Sequence, residues 1–183
     1  LYDPSKIIKY NIDIKKINKL IEPLTNLKNM IGLENVQKNI VNQIIYFLCE
    51  FEGNGNDMMH TVITGPPGVG KTKLGTILGD IYFNLGILKP IKKRKARFTK
   101  SKEKYPFKIV KRSDLVGKYL GHTASKTQDV IDSCDGGVMF IDEAYSLGNP
   151  EGRDSFSKEC LDTLNQNLTE KKSNFLCIIA GYK

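Results

Sequence analysis

Histidine is scarce in this sequence: His60 and His122 are the only two. A histidine-rich metal site is therefore excluded. Cysteine is little used as well. Cys49, Cys134, Cys160 and Cys177 lie far apart and form no C-x-x-C pair. That spacing fits a reducing, intracellular setting, and three of the four fall in apolar patterns where cysteine acts as a small core residue. No apolar run reaches about 18 residues, so no transmembrane helix is expected. No signal-peptide pattern is visible either, and the expected location is cytoplasmic with no membrane association. There is no internal repeat. With 183 residues the chain can bury a full core without disulfide staples.

Positive charge, by contrast, is plentiful. There are 28 basic against 20 acidic residues, a formal charge of +8. The densest run is Lys92-Lys93-Arg94-Lys95-Ala96-Arg97, followed by Lys100, Lys102 and Lys104. Its plainest reading is a solvated surface loop. The functional reading is an electrostatic patch for nucleic acid or an acidic partner. Only Phe98 and Tyr105 interleave with it, which argues against single-strand binding.

The most specific stretch is Gly65-Pro66-Pro67-Gly68-Val69-Gly70-Lys71-Thr72, of the form G-x-x-x-x-G-K-T. Thr61–Thr64 before it is a β-branched run that reads as a strand. After it, Leu74, Ile77, Leu78, Ile81 and Leu85 recur at helical spacing. Strand, glycine loop and helix together form the context that gives the motif meaning. Glycines tolerate φ > 0 and let backbone N–H groups turn inward around a phosphate. The helix that follows points its positive dipole end at the same anion. Lys71 would reach the β- and γ-phosphates, and Thr72 would ligate Mg²⁺. Pro67, Gly68, Val69, Gly70, Lys71, Thr72 and Lys73 are the candidate phosphate-contacting residues.

A second stretch, Gly137-Val138-Met139-Phe140-Ile141-Asp142-Glu143, ends four apolar residues in two carboxylates. The apolar part suits a parallel strand buried on both faces. Ligand chemistry in an open α/β sheet gathers at the carboxyl ends of its strands. Together the two stretches predict a nucleoside-triphosphatase site. Asp142 supports the metal, and Glu143 orients and polarises the attacking water.

Other segments alternate between helix and strand, predicting a mostly parallel sheet with right-handed crossovers. Ile14, Ile17, Ile21 and Leu24 predict a short surface or linker helix limited by Pro23. Leu33, Val36, Ile40, Val41, Ile44, Ile45 and Leu48 form one apolar stripe on a helix ending near Phe51. Gly86 is the expected stop of the helix from about Lys71 to Leu85. Phe107–Val110 and Phe175–Ala180 read as strands. Thr123 is expected to cap a short helix through Ser133, and Asp154 to cap one carrying Phe156, Cys160, Leu161, Leu164 and Leu168.

The two motifs, with Asp114–Thr123, Ala144-Tyr145 and Ala180–Lys183, resemble the AAA family of P-loop ATPases. The match is closer to its CbxX/CfqX branch, which includes red-type Rubisco activases and sporulation protein K. It covers about residues 30–183, leaving 1–29 as an N-terminal extension. The resemblance implies a three-layer α/β large subdomain carrying Walker A and Walker B motifs. It implies ATP and Mg²⁺ as ligands, ATP hydrolysis, a hexameric ring of identical subunits and a chaperone-like action on a protein substrate. It places Ile31 and Gly32 beside the adenine. Tyr119, Leu120 and Gly121 match the first pore loop, which grips a threaded polypeptide. Gly181-Tyr182 occupies the sensor 1 region, where many AAA proteins have Asn.

Family members continue with a fifth strand, an arginine finger and a helical lid, none of which matches within these residues. The chain begins at Leu1 and stops at Lys183, so both ends read as cut and the C-terminal part of the fold is expected to lie outside it. The phosphate-loop strand should then be a sheet edge, and this chain alone should hydrolyse ATP poorly. Two other functions stay open at this point. One is a nucleic-acid-stimulated ATPase or loader; the other is a nucleotide-dependent scaffold with little hydrolysis.

Overall fold

A computed structural model describes residues 14–49, 59–89, 105–119, 121–148, 154–170 and 175–182. The basic run at 92–104 and Leu120 lie outside them. The helices are α1 (Ile14–Lys28), α2 (Glu34–Leu48), α3 (Lys71–Leu85), α4 (Arg112–Leu115), α5 (Thr123–Ser133) and α6 (Ser155–Glu170). The strands are β1 (Thr61–Thr64), β2 (Phe107–Val110), β3 (Val138–Ile141) and β4 (Leu176–Gly181). A 3₁₀ turn covers Ala144–Leu147.

The four strands form one sheet in the order β1-β4-β3-β2, and every pairing is parallel. Alternation along β3 shows why three layers result. Val138 and Phe140 join the core under α1, α2 and α3, while Met139 and Ile141 join the core under α5 and α6. All four are at most 1% exposed, as a strand covered on both faces requires. β1 pairs only with β4 among the described residues, and Val62 is 66% exposed on it. The expected edge position of the phosphate-loop strand is therefore observed.

Helix α1 corrects the sequence expectation. It runs through Pro23 and continues to Lys28, packed along α3 with Leu20, Pro23 and Leu27 buried. An internal proline costs a helix about 3 kcal/mol. Burying two leucines returns about 1.5–3 kcal/mol each, which offsets it. The stripe on α2 is narrower than its sequence suggests, because Ile40 and Ile44 are buried whereas Val41 and Ile45 are exposed. Helix α3 ends where expected: Gly86 adopts φ 84°, donating its N–H to the Phe83 carbonyl while Ile87 N–H reaches Tyr82.

At the opposite end of the sheet from the phosphate loop, His60 ties β4 to α6. Its Nδ1 accepts the Cys177 N–H at 3.1 Å, so the proton is on Nε2, which donates to the Leu168 carbonyl at 3.2 Å. Burial lowers the imidazole pKa below its usual 6.5.

Candidate nucleotide site

The phosphate loop leaves β1 at Gly65, whose N–H donates to the Gly181 carbonyl at 3.1 Å. This bond ties the start of the loop to the end of β4. Gly68 and Gly70 take φ 81° and 86°, left-handed values that a side chain resists. Gly70 is also the N-cap of α3, and no side chain caps that helix. Its first N–H groups, from Lys71 to Lys73, are thus left to the loop. The Lys71 ammonium curls back over the loop, donating to the Gly65 and Pro66 carbonyls at 2.8 and 2.9 Å. Pro67 and Val69 are exposed at the tip, Thr72 is half-buried and Lys73 is exposed.

Close packing fixes this loop relative to β3. A Cβ on Gly75 would stand 2.7 Å from two ring atoms of the fully buried Phe140. The backbone of α3 therefore lies directly on the ring of Phe140, a residue of the strand that leads into the two carboxylates. One turn later Gly79 admits the Tyr105 ring, whose hydroxyl donates to Asp80 and to the Thr76 carbonyl at 3.2 Å each.

Asp142 continues the β2–β3 ladder by donating its N–H to the Val110 carbonyl at 2.9 Å. Its Oδ1 accepts the Glu143 N–H at 3.1 Å. Glu143 has φ 55° and ψ 43°, the one positive φ outside glycine among the described residues. Its carbonyl accepts the Ser146 N–H at 2.9 Å and so starts the 3₁₀ turn. Thr64 pairs with Gly181, and Ile141 with Ile179. Asp142 is therefore level with Ala180, with β4 alone between it and the phosphate loop. At normal strand spacing that is a lateral separation of about 10 Å.

Two tyrosines border the same end of the sheet. Tyr145 and Tyr182 pack with ring centroids 4.2 Å apart and their planes tilted by 52°. A hydrogen bond with Tyr182, with partial burial and the nearby Glu143 carboxylate, pushes the Tyr145 phenol up to about 12. Tyr182 also lines a cavity of about 400 Å³ with Thr64, Gly65, Pro66 and Pro67. Both tyrosines fall within the stretches that carry the resemblance, yet nothing local in the sequence assigns them to the site.

The turn at 30–32 lies beside the loop, since the Met30 methyl would stand 3.3 Å from a Cβ on Gly70. There Gly32 adopts φ 76° and Ile31 is 99% exposed. Tyr119 is exposed, its ring 5.8 Å from that of His122, and Gly121 adopts φ 78°. Thr123 does not cap α5 as expected. It is the first residue of the helix, is fully buried, and its hydroxyl accepts the Gly117 N–H at 3.1 Å. The cap position falls to His122, and the threonine instead closes the loop from within. Asp154 does cap α6, accepting the Phe156 and Ser157 N–H groups at 3.1 and 3.2 Å. Hydrogen bonds from the Ser157 hydroxyl and from Arg112 hold its carboxyl down at about 2.

No cluster of three or more His, Cys, Asp or Glu side chains forms among the described residues. Thr72 and Asp142 offer a hydroxyl and a carboxylate, hard oxygen donors of the kind that hold Mg²⁺ together with a substrate's phosphates.

Residues 61–183 match the family described as "ATPase family associated with various cellular activities (AAA)". This chain belongs to the AAA family. It is an ATP-binding AAA domain related to the CbxX/CfqX group. It is 45% identical over 172 residues to a cfxQ-like protein of Acanthamoeba polyphaga mimivirus, covering 94% of this chain and 39% of the relative. With stage V sporulation protein K of Bacillus subtilis it shares 33% identity over 159 residues, covering 84% of this chain and 45% of the relative. A chloroplastic ribulose bisphosphate carboxylase/oxygenase activase of Cyanidioschyzon merolae is 33% identical over 175 residues, 92% of this chain and 55% of the relative. The AAA chain thus spans about two-fifths to just over half of these relatives. The crystal structure of the FIGL-1 AAA domain superposes with a TM-score of 0.56 at 20% identity, covering 97% of this chain and 57% of the other. That likeness establishes the AAA fold. No helix among the described residues is long and apolar enough to cross a membrane.

Proposed function

We propose that this AAA module binds ATP with Mg²⁺ and hydrolyses it within a ring-forming protein, a hexamer of identical subunits, that remodels or threads a protein partner. The observation that carries this reading is the placement of the Lys71 loop and the Asp142-Glu143 pair at one end of the sheet, on either side of β4. Lys71 and the amides of Gly68, Gly70 and the first turn of α3 bind the β- and γ-phosphates. A phosphate there competes with the Gly65 and Pro66 carbonyls for the ammonium. Ile31 and Gly32 line the purine side. Thr72 and Asp142 hold Mg²⁺, which when bound offsets negative charge on the phosphate oxygens. Glu143, exposed and directed by its left-handed backbone, orients the attacking water and accepts its proton. Tyr119, 69% exposed beside Gly121, contacts the threaded partner.

The test is turnover and nucleotide binding in the full-length protein. Glu143→Gln keeps ATP binding and loses turnover on the order of 10²-fold or more. Lys71→Ala loses binding. Tyr119→Ala retains ATPase activity and loses remodelling. Equal turnover in Glu143→Gln and the parent would overturn the assignment. Stimulation by DNA or RNA that falls steeply with salt would favour a nucleic-acid loader instead.

A further inference from the structure

Arg112 reaches three parts of the chain that are remote in sequence. It is the first residue of α4, two positions beyond β2. Its Nη1 donates to the Ser146 carbonyl at 3.0 Å and to the Ser157 hydroxyl. Its Nη2 pairs with the Asp154 carboxylate at 2.5 Å. Asp154 and Ser157 belong to the start of α6, where Asp154 also accepts the Ser157 hydroxyl at 2.6 Å. Ser157 is fully buried, so the guanidinium is anchored to packed structure and not to a mobile surface chain.

Ser146 belongs to the turn that begins at Glu143. Its N–H donates to the Glu143 carbonyl, and its own carbonyl is held by Arg112. The two peptide groups that flank Ser146 are thus both held. A glutamate with φ 55° persists only where its surroundings over-determine it, because the left-handed region costs a non-glycine residue about 1–2 kcal/mol. Asp142, held to Val110, fixes one end of the turn. Arg112 fixes the other.

We propose that Arg112 is a positioning residue for Glu143, clamping the 143–147 turn to the cap of α6 and so setting the direction of the Glu143 carboxylate. This rests on the reading of Glu143 as the group that orients the attacking water. The fork matters because its two terminal nitrogens serve different partners, a geometry that lysine cannot reproduce.

The test compares the full-length wild type with Arg112→Met, Arg112→Lys, Arg112→Ala and Asp154→Asn, measuring kcat, KM for ATP, nucleotide Kd and melting temperature. Arg112→Met is expected to lower kcat on the order of 10- to 100-fold, as misplacement of a reacting group does. Nucleotide Kd should stay within about twofold, since an interaction felt only in the transition state leaves binding intact. Arg112→Lys falls between the two, and Asp154→Asn shifts kcat in the same direction. Added ethylguanidine restores turnover to Arg112→Ala, which a purely structural loss would not permit. Wild-type kcat in Arg112→Met, alongside a dead Glu143→Gln, overturns the proposal. So does a kcat loss that tracks loss of binding and of melting temperature, with no rescue. Turnover surviving Glu143→Gln overturns the underlying reading of Glu143, and this proposal with it.

Discussion

The backbone at Glu143 makes a trade between stability and activity measurable. Glu143 is exposed, so its side chain contributes little burial, but its φ of 55° is unfavourable for any residue with a Cβ. The left-handed region costs about 1–2 kcal/mol. Glycine removes that cost but adds about 0.5–1 kcal/mol of unfolded-chain entropy. Glu143→Gly should therefore stabilise the fold by about 0.5–1 kcal/mol, against a Glu143→Gln reference that removes the charge but keeps the Cβ. For a chain of this size that is an increase of about 1–4 °C in melting temperature. Glu143→Asn should also exceed the Gln variant, because asparagine tolerates this conformation better than glutamine. Thermal unfolding followed by circular dichroism reads the difference, and all three variants should be inactive. Gly and Asn variants that melt at or below the Gln variant would show that the turn stores no strain.

Gly75→Ala should lower stability by about 1–2 kcal/mol despite alanine's higher helix propensity, because its Cβ meets the buried Phe140 ring at 2.7 Å; chemical denaturation measures it. His60 has a lowered pKa in the fold, so the unfolded chain takes up the proton first as pH falls. Its stabilisation is present above about pH 6.5 and is lost as pH falls toward the folded value, so stability against pH should be flatter in His60→Gln over that window. Cys49 is exposed while Cys134, Cys160 and Cys177 are buried, and burial pushes the Cys177 thiol up to about 12. A thiol reagent should accordingly label one cysteine in the folded chain and all four in denaturant.

Local chemistry was readable wherever one residue type had one use. Gly86 stops α3 because few other residues adopt φ 84°, and Val138–Ile141 reads as a doubly covered strand because no polar residue interrupts it. Asp154 caps α6 for the reason that short acidic side chains do so. Legibility failed where distant contacts outweighed local preference. Pro23 should end a helix, yet burial against α3 carries the helix through it. Thr123 is a good cap by type, but its hydroxyl is taken by Gly117. For the candidate site, the glycine loop and the carboxylate pair were visible as patterns. The clamp from Arg112 to Ser146 and Asp154 was not, because it joins positions 34 and 42 residues apart.

The contact between Gly75 and Phe140 has a mechanical consequence. Only the buried Phe140 ring separates the Gly75 backbone from β3, so helix and strand are seated with no spare room between them. The phosphate loop and Asp142 are then two points on one closely packed frame, which resists a change in their separation. A change of shape on nucleotide binding would arise more readily in parts seated less closely. Those are the turn at 30–32 and the loop around Tyr119, where Ile31 and Tyr119 are exposed. The glycine thus makes a fixed jaw of this end of the sheet.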